Sequence, residues 1–288
     1  LEDGERFNLI VYSDTIERFA AEPIAKSRES EQAAMRFIDS IRARGGTNIH
    51  DALLESLRAE PEAGALPMVL FLTDGLPTVG ETSEVKIREL VRKHNPHQCR
   101  VFTFGVGHDV NTPLLEAVAL DTRAAPTFVA PEEEVELKVA EVYSKLDGPV
   151  LAMPALKAVK EDGQARPGAL LDLLPHELPD FFADEQLVLL GRYTDGSKPL
   201  CLELSGEAAG EKRTFRFEFK MKDASRENAY VARLWASRKI AQMVDQIRRM
   251  GADPAAAEKD PRFKELTEEI VRLSIEFGIL TEYTAFLA

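Results

Sequence analysis

The sequence predicts an α/β fold: a Rossmann-like parallel sheet over residues 1–147, a β-rich, sandwich-like segment over 148–224 and a helical hairpin over 225–288. Three observations predict it. Residues 68–72 (MVLFL) are five apolar residues without alternation, the pattern of a parallel strand with helices on both faces. Strand-like and helix-like stretches then alternate up to Leu146, which requires a parallel sheet with right-handed crossovers. Past Gly148-Pro149 the pattern changes to short apolar runs split by turn residues, then to two long stretches with helical spacing.

Residues 7–13 (FNLIVYS) predict a strand and 15–20 (TIERFA) a shorter one, close enough to pair as an antiparallel hairpin. Over 31–44, Ala34, Phe37, Ile38 and Ile41 recur at helical spacing, and Gly45 and Gly46 end that helix. Thr47 or Asn48 caps the next helix, 50–58, and the glycine pair lets main chain approach a ligand closely. The strand at 68–72, central or nearly so, runs into Thr73, Asp74 and Gly75. In open parallel sheets ligands gather at the carboxyl ends of strands, so Asp74 stands where a site belongs. Asp-Gly is also a common turn pair.

Ser83 opens a helix carrying Val85, Ile87, Leu90 and Val91 to His94, and Asn95-Pro96 stops it. Residues 100–106 (RVFTFGV) predict the next buried strand, and Asn111-Thr112-Pro113 starts a helix with proline inside its first turn. A short strand at 127–130 and a helix from Pro131 to Leu146 complete the first part, with Glu132, Glu133 and Glu134 complementing the amino-terminal dipole.

Beyond residue 148, strands are predicted at 170–174, 186–193, 200–204 and 214–221, with turns at Asp195-Gly196 and 206–210. Phe215, Phe217, Phe219 and Met221 alternate with Arg216, Glu218 and Lys220, which gives that strand one wet face. Phe181 and Phe182 read as core or edge cover. A helix over 227–250 carries Val231, Leu234, Trp235, Ala241, Val244 and Ile247 on one side. After the turn at 251–254, Phe263, Leu266, Ile270, Leu273 and Phe277 form a seam suited to antiparallel packing of two helices.

Asp and Glu number 49 against 36 Lys and Arg, and residues 1–147 hold 26 acidic against 16 basic side chains. An acidic first part repels nucleic acid and anionic lipid and favours cations and basic partners. No run approaches the roughly 18 apolar residues of a membrane-spanning helix, and residues 1–20 lack a basic-then-apolar leader pattern. Cys99 and Cys201 lie in different segments and make no disulfide framework. Histidines and cysteines show no metal-ligand spacing, and no Ser, Cys or His stands in a nucleophile motif. Residues 75–82 (GLPTVGET) have the glycines of a phosphate-binding loop, but Glu81 stands where such a loop needs Lys, which argues against nucleotide hydrolysis.

RFNLIVYSD (6–14), GGTNIHDAL (45–53), VLFLTDGLPTVGE (69–81) and VFTFGVGHDV (101–110), in that order, resemble a von Willebrand factor type A domain. The nearest likeness is to the kind found in inter-alpha-trypsin inhibitor heavy chains and their bacterial relatives, and RLWASRKI (233–240) and LTEYTAFL (280–287) extend it over the chain. Such domains hold one divalent cation at a metal-ion-dependent adhesion site. Its ligands are an Asp-x-Ser-x-Ser motif after the first strand, a threonine in a later loop and an aspartate after the fourth strand.

The resemblance implies Thr47 as a hydroxyl ligand and Asp74 as a carboxylate acting through water, around Mg2+ or Mn2+. It implies a protein ligand whose acidic residue fills the open coordination position. No Asp-x-Ser-x-Ser occurs here: Asp195-Gly196-Ser197 continues as Lys198-Pro199, and Asp223-Ala224-Ser225 as Arg226-Glu227. By the resemblance, the first strand and helix precede residue 1, leave the metal site incomplete and belong between the strands at 7–13 and 68–73. Preceding segments also complete the sandwich of 148–224. An extracellular, periplasmic or cell-surface setting is favoured.

The expected function is therefore non-enzymatic protein interaction or adhesion through a divalent cation. Two alternatives stand beside it. One is a hydrolase with Asp74, Asp109 and His50 or His108 as acid and base; the other is a scaffold whose metal site is vestigial. His50 also reads as a surface or packing histidine, and Thr47 as a plain helix cap.

Overall fold

The computed structural model describes residues 5–62, 65–143, 149–182, 186–194, 196, 199–208, 210–220, 227–250 and 260–284. The expectations placed on Asp195, Met221, the segments 144–148, 223–225 and 251–254, and the end of the chain at 285–288 lie outside these residues. Two compact units form, Leu1–Gly148 and Pro149–Ala288.

In the first unit, residues 7–13 are not one strand. Asn8 turns its side chain onto the main chain, accepting from Leu9 N at 2.9 Å and Ala20 N at 3.1 Å. This break separates β1 (Arg6–Phe7), paired with β4 (Ile24–Ala25), from β2 (Ile10–Tyr12). β2 pairs antiparallel with β3 (Ile16–Arg18), the expected hairpin. α1 (Arg28–Ser40) starts earlier than its apolar spacing predicts, because Ser27 and Ser30 cap it reciprocally. It ends at Ile41, so Gly45 and Gly46 belong to the following loop and do not terminate the helix.

β5 (Met68–Thr73), β6 (Arg100–Val106) and β7 (Pro126–Val129) form a parallel sheet in that order. α3 (Glu84–Lys93) and α4 (Thr112–Asp121) are its crossovers. α2 (Ile49–Ser56) joins the core with Ile49 and Leu53, which pack with Phe71, Ile87, Val91, Val101, Leu114 and Val118. Among the described residues the middle strand is β6, with β5 beside it. β5 buries Phe71 and Thr73 but leaves Leu70 40% and Leu72 47% exposed, and its outer edge is unpaired among the described residues. β2 and β5 are not ladder neighbours, as expected. α5 (Val135–Tyr143) begins later than Pro131, because Glu133 accepts from Ala130 N at 2.9 Å and closes a turn first. Beneath the sheet, the buried Arg88 of α3 donates to Asp121 of α4 at 3.1 Å, and Arg92 adds a second bond at 2.7 Å.

In the second unit, β8 (Ala152–Val159), β11 (Leu200–Ala208) and β12 (Glu211–Phe219) form an antiparallel sheet in the order β12-β11-β8. β8 was not expected: Pro154 interrupts its pattern, and an edge strand is where a proline is tolerated. The expected turn at 206–210 is shorter, because Gly206 belongs to β11. A Cβ there would lie 2.8 Å from Ala152 O, where the β11–β8 register shifts. β9 (Leu170–Leu174) pairs antiparallel with β10 (Leu190–Tyr193).

α6 (Ala229–Arg249) packs on α7 (Pro261–Phe277). Ile270 and Leu273 of α7 are fully buried, with Phe263, Leu266 and Phe277 beside them as expected. α6 is rotated from expectation. It buries Trp235, Ala236, Ile240, Met243 and Ile247, while Val231 and Leu234 are exposed. Leu174 and Leu190 enter the same core, so the strands and helices predicted as separate segments share one unit.

Candidate metal site

The site is built from three loops. Thr47 and Asn48 compete in the sequence for the cap of α2, and the structure gives it to Asn48. The Asn48 side-chain oxygen accepts from Asp51 N at 3.2 Å, and its amide donates to the Asp51 carboxylate at 2.8 Å. Asn48 is buried, and its own N–H donates to Ser13 O at 3.0 Å. Thr47 is thereby released from capping, and its hydroxyl makes no hydrogen bond among the described residues.

What fixes Thr47 is its main chain. Its N–H donates to the Thr78 hydroxyl at 2.8 Å, and its carbonyl accepts from Thr78 N at 3.0 Å. Just before it, Gly46 N donates to Asp14 Oδ1 at 2.6 Å. Gly45 has φ +76 and lies so close to the Asp14 carboxylate that a Cβ would fall 2.8 Å from its carbon, which excludes any other residue without movement. Asp14 and Thr78 were not anticipated as site residues. Both sit in polar stretches whose partners become apparent only when the loops meet.

Asp74 follows β5 and is exposed. The structure brings Thr47 to it: a Cβ on the adjacent Gly75 would lie 3.2 Å from Thr47 Oγ1. The Thr47 hydroxyl therefore lies against the Asp74-Gly75 turn at the carboxyl end of the sheet. Behind them Tyr12 donates to Leu72 O at 2.8 Å and stacks on Phe71 with ring centroids 5.4 Å apart. Burial pushes the Tyr12 phenol up to about 12; a hydrogen bond with Thr73 works against the rise, and the Asp74 charge adds to it.

Both donors are oxygens, the chemistry a hard divalent cation prefers, but they are two where such an ion takes about six. Among the described residues, no three His, Cys, Asp or Glu side chains come together as a metal-binding group. By themselves Thr47 and Asp74 suit part of a Mg2+ or Mn2+ site and not the whole of one. His50 turns to its neighbour: Nδ1 lies 2.7 Å from Asp51 Oδ1, and that contact, with the Asn48 amide, lowers the Asp51 pKa. His108 and Asp109 are exposed beyond β6 and make no hydrogen bond or ion pair among the described residues. No acid–base pair is assembled from them.

Residues 1–123 match the model of the von Willebrand factor type A domain. The chain is 28% identical to mouse (Mus musculus) inter alpha-trypsin inhibitor, heavy chain 4, over 99% of this chain and 30% of the relative. It is 27% identical to human (Homo sapiens) inter-alpha-trypsin inhibitor heavy chain H4, over 100% of this chain and 31% of the relative. It thus spans about a third of the length of these relatives. Among solved structures, a von Willebrand factor type A protein from Catenulispora acidiphila superposes with a TM-score of 0.58, covering 96% of this chain and 72% of that one. At 16% identity this likeness speaks to the fold alone. Residues 1–123 thus carry the match to the von Willebrand factor type A domain, and over its whole length the chain is similar to inter-alpha-trypsin inhibitor heavy chains.

Proposed function

We propose that the chain is a non-enzymatic protein-interaction module whose contact surface is the loop cluster at the carboxyl end of β5. Thr47 and Asp74 are two oxygen donors of a Mg2+ or Mn2+ site there. The observation that carries this reading is the Thr47 hydroxyl, freed from capping by Asn48 and held beside Asp74-Gly75 by the Asp14 and Thr78 clamps. Two independent loops position one uncommitted oxygen, an arrangement the stability of α2 does not require.

The remaining donors would come from a further strand, and the edge of β5 beside β2, unpaired among the described residues, is where such a strand fits. A bound ion would supply a docking point for a carboxylate of the partner protein. The excess of acidic side chains in residues 1–147 favours the cation. An extracellular, periplasmic or cell-surface setting accompanies this reading; no helix among the described residues is long and apolar enough to cross a membrane.

The test is calorimetric titration of Mn2+ into the chain extended at its amino terminus by a strand and helix carrying Asp-x-Ser-x-Ser. Binding that Thr47→Ala and Asp74→Ala each weaken by tenfold or more supports the assignment. Binding indifferent to both substitutions sinks it.

A further inference from the structure

We propose that β12 is a self-association strand: two copies of this chain pair β12 with β12, antiparallel, across a two-fold axis at Phe217. Among the described residues the strand is the outer edge of its sheet, and all nine of its residues are exposed. Natural edge strands are usually blunted by proline, a bulge, shortness or charged side chains; β12 carries charges, but Arg216 and Glu218 stand where a second copy can pair them. β12 has no proline, pairs with β11 without a register shift over its full length, and leaves Phe215, Phe217 and Phe219 46–48% exposed on one face.

The sequence of the edge selects the occupant. Residues 215–219 read Phe-Arg-Phe-Glu-Phe. In an antiparallel pair, opposite residues share a face and interact directly, and a slip of one residue would turn the phenylalanines to the wrong face. With the axis at Phe217, Phe215 faces Phe219 of the second copy, Phe217 faces its counterpart, and Arg216 faces Glu218, each of the unlike pairs occurring twice by symmetry. The neighbouring same-face registers are worse. An axis at Arg216 opposes Arg216 to itself and Lys212 to Lys220; an axis at Phe215 sets Phe217 against Arg213 and Phe219 against Glu211.

The opposite face supports the same register. Lys157, Glu203 and Arg216 lie in one row across β8, β11 and β12. Glu203 is held by Lys157 at 2.7 Å and by Arg216 at 2.9 Å, which lowers its pKa. The next position in the row is Glu218 of the second copy, continuing the alternation of sign. Within one copy, Glu218 makes no ion pair among the described residues.

Sedimentation equilibrium on the full chain, with disulfide trapping, tests this. In a Cys201→Ser background, with Cys99 buried, Phe217→Cys should cross-link to itself under mild oxidation, whereas Phe215→Cys or Arg216→Cys should not. Glu218→Arg, at an exposed side chain whose loss breaks no internal ion pair, should raise the dimer dissociation constant at least about tenfold while circular dichroism is unchanged. A chain that stays monomeric at all concentrations overturns the proposal. So does trapping at 215 or 216 in preference to 217, or association unaffected by Glu218→Arg. Slow exchange, in a monomer, of those β12 amides that point away from β11 would show that another segment covers the strand, and would overturn it as well.

Discussion

The phenol of Tyr12 donates to the main-chain oxygen of Leu72 at 2.8 Å, across a gap between β2 and β5 that no described strand fills. One side chain thus satisfies an acceptor that a neighbouring strand would otherwise pair. Tyr12→Phe keeps the stack on Phe71 and removes only the bond, at a cost of about 1 kcal/mol. Tyr12→Ala also removes the ring and should cost about 3 kcal/mol or more. Urea denaturation checks both, with the midpoint falling and the slope unchanged in the first case.

The same residue gives a pH dependence. Burial raises the Tyr12 pKa from an ordinary 10.0 to about 12, and that of the Cys99 thiol from 9.0 to about 12. As pH climbs past these ordinary values, the unfolded chain loses protons that the folded chain keeps. Stability is therefore fully present below pH 9.0 and falls as pH rises towards about 12. Urea midpoints measured across this range should decline, and Tyr12→Phe should decline less.

Asn48 and Thr47 separate structure from function at adjacent positions. Asn48→Ala removes the cap of α2 and bonds to Asp51, and should cost about 1–2 kcal/mol. Thr47→Ala removes a hydroxyl with no partner among the described residues and should cost less than about 0.5 kcal/mol. A large loss at Thr47 would mean that its hydroxyl is structural after all. Thermal unfolding of the two variants gives the comparison.

This pair also shows what the sequence could disclose. Two capping residues stood side by side, and local chemistry could not choose between them; the choice came from Ser13, which binds Asn48 N from another loop. The helix seam of α7 and the strand β6 were legible because burial repeats along the chain. The existence of β8 was not, since it carries Pro154. Thr47 and Asp74 were named through a family resemblance, whereas the Asp14 and Thr78 clamps required the folded loops.

Asp121 holds two arginines with its side chain only 8% exposed. Asp121→Ala would leave the buried Arg88 with the longer contact to Glu84 at 3.9 Å, a loss approaching the roughly 3–5 kcal/mol of breaking a buried ion pair. Arg92→Ala removes the exposed partner alone and should cost less than about 1 kcal/mol. Guanidinium denaturation of the two variants should show this asymmetry. Equal losses would mean that the pair stabilises α3 against α4 through surface charge alone.

The 288-residue chain by itself should bind Mg2+ or Mn2+ negligibly. A hard cation of this size takes about six oxygens in octahedral array, and the assigned donors are one free hydroxyl and one exposed carboxylate, the Asp14 carboxylate being engaged by Gly46 N. Water would have to provide the rest, as it already does in bulk, so the protein offers the ion little that solvent does not. Thr47→Ala and Asp74→Ala should then leave calorimetric titrations of the chain as flat as before and its melting temperature in Mg2+ unchanged. A millimolar or tighter titration curve for the unmodified chain, lost in either variant, would show that these two side chains are a sufficient site; a curve that survives both would place the ion elsewhere, among acidic side chains that the loop cluster does not contain.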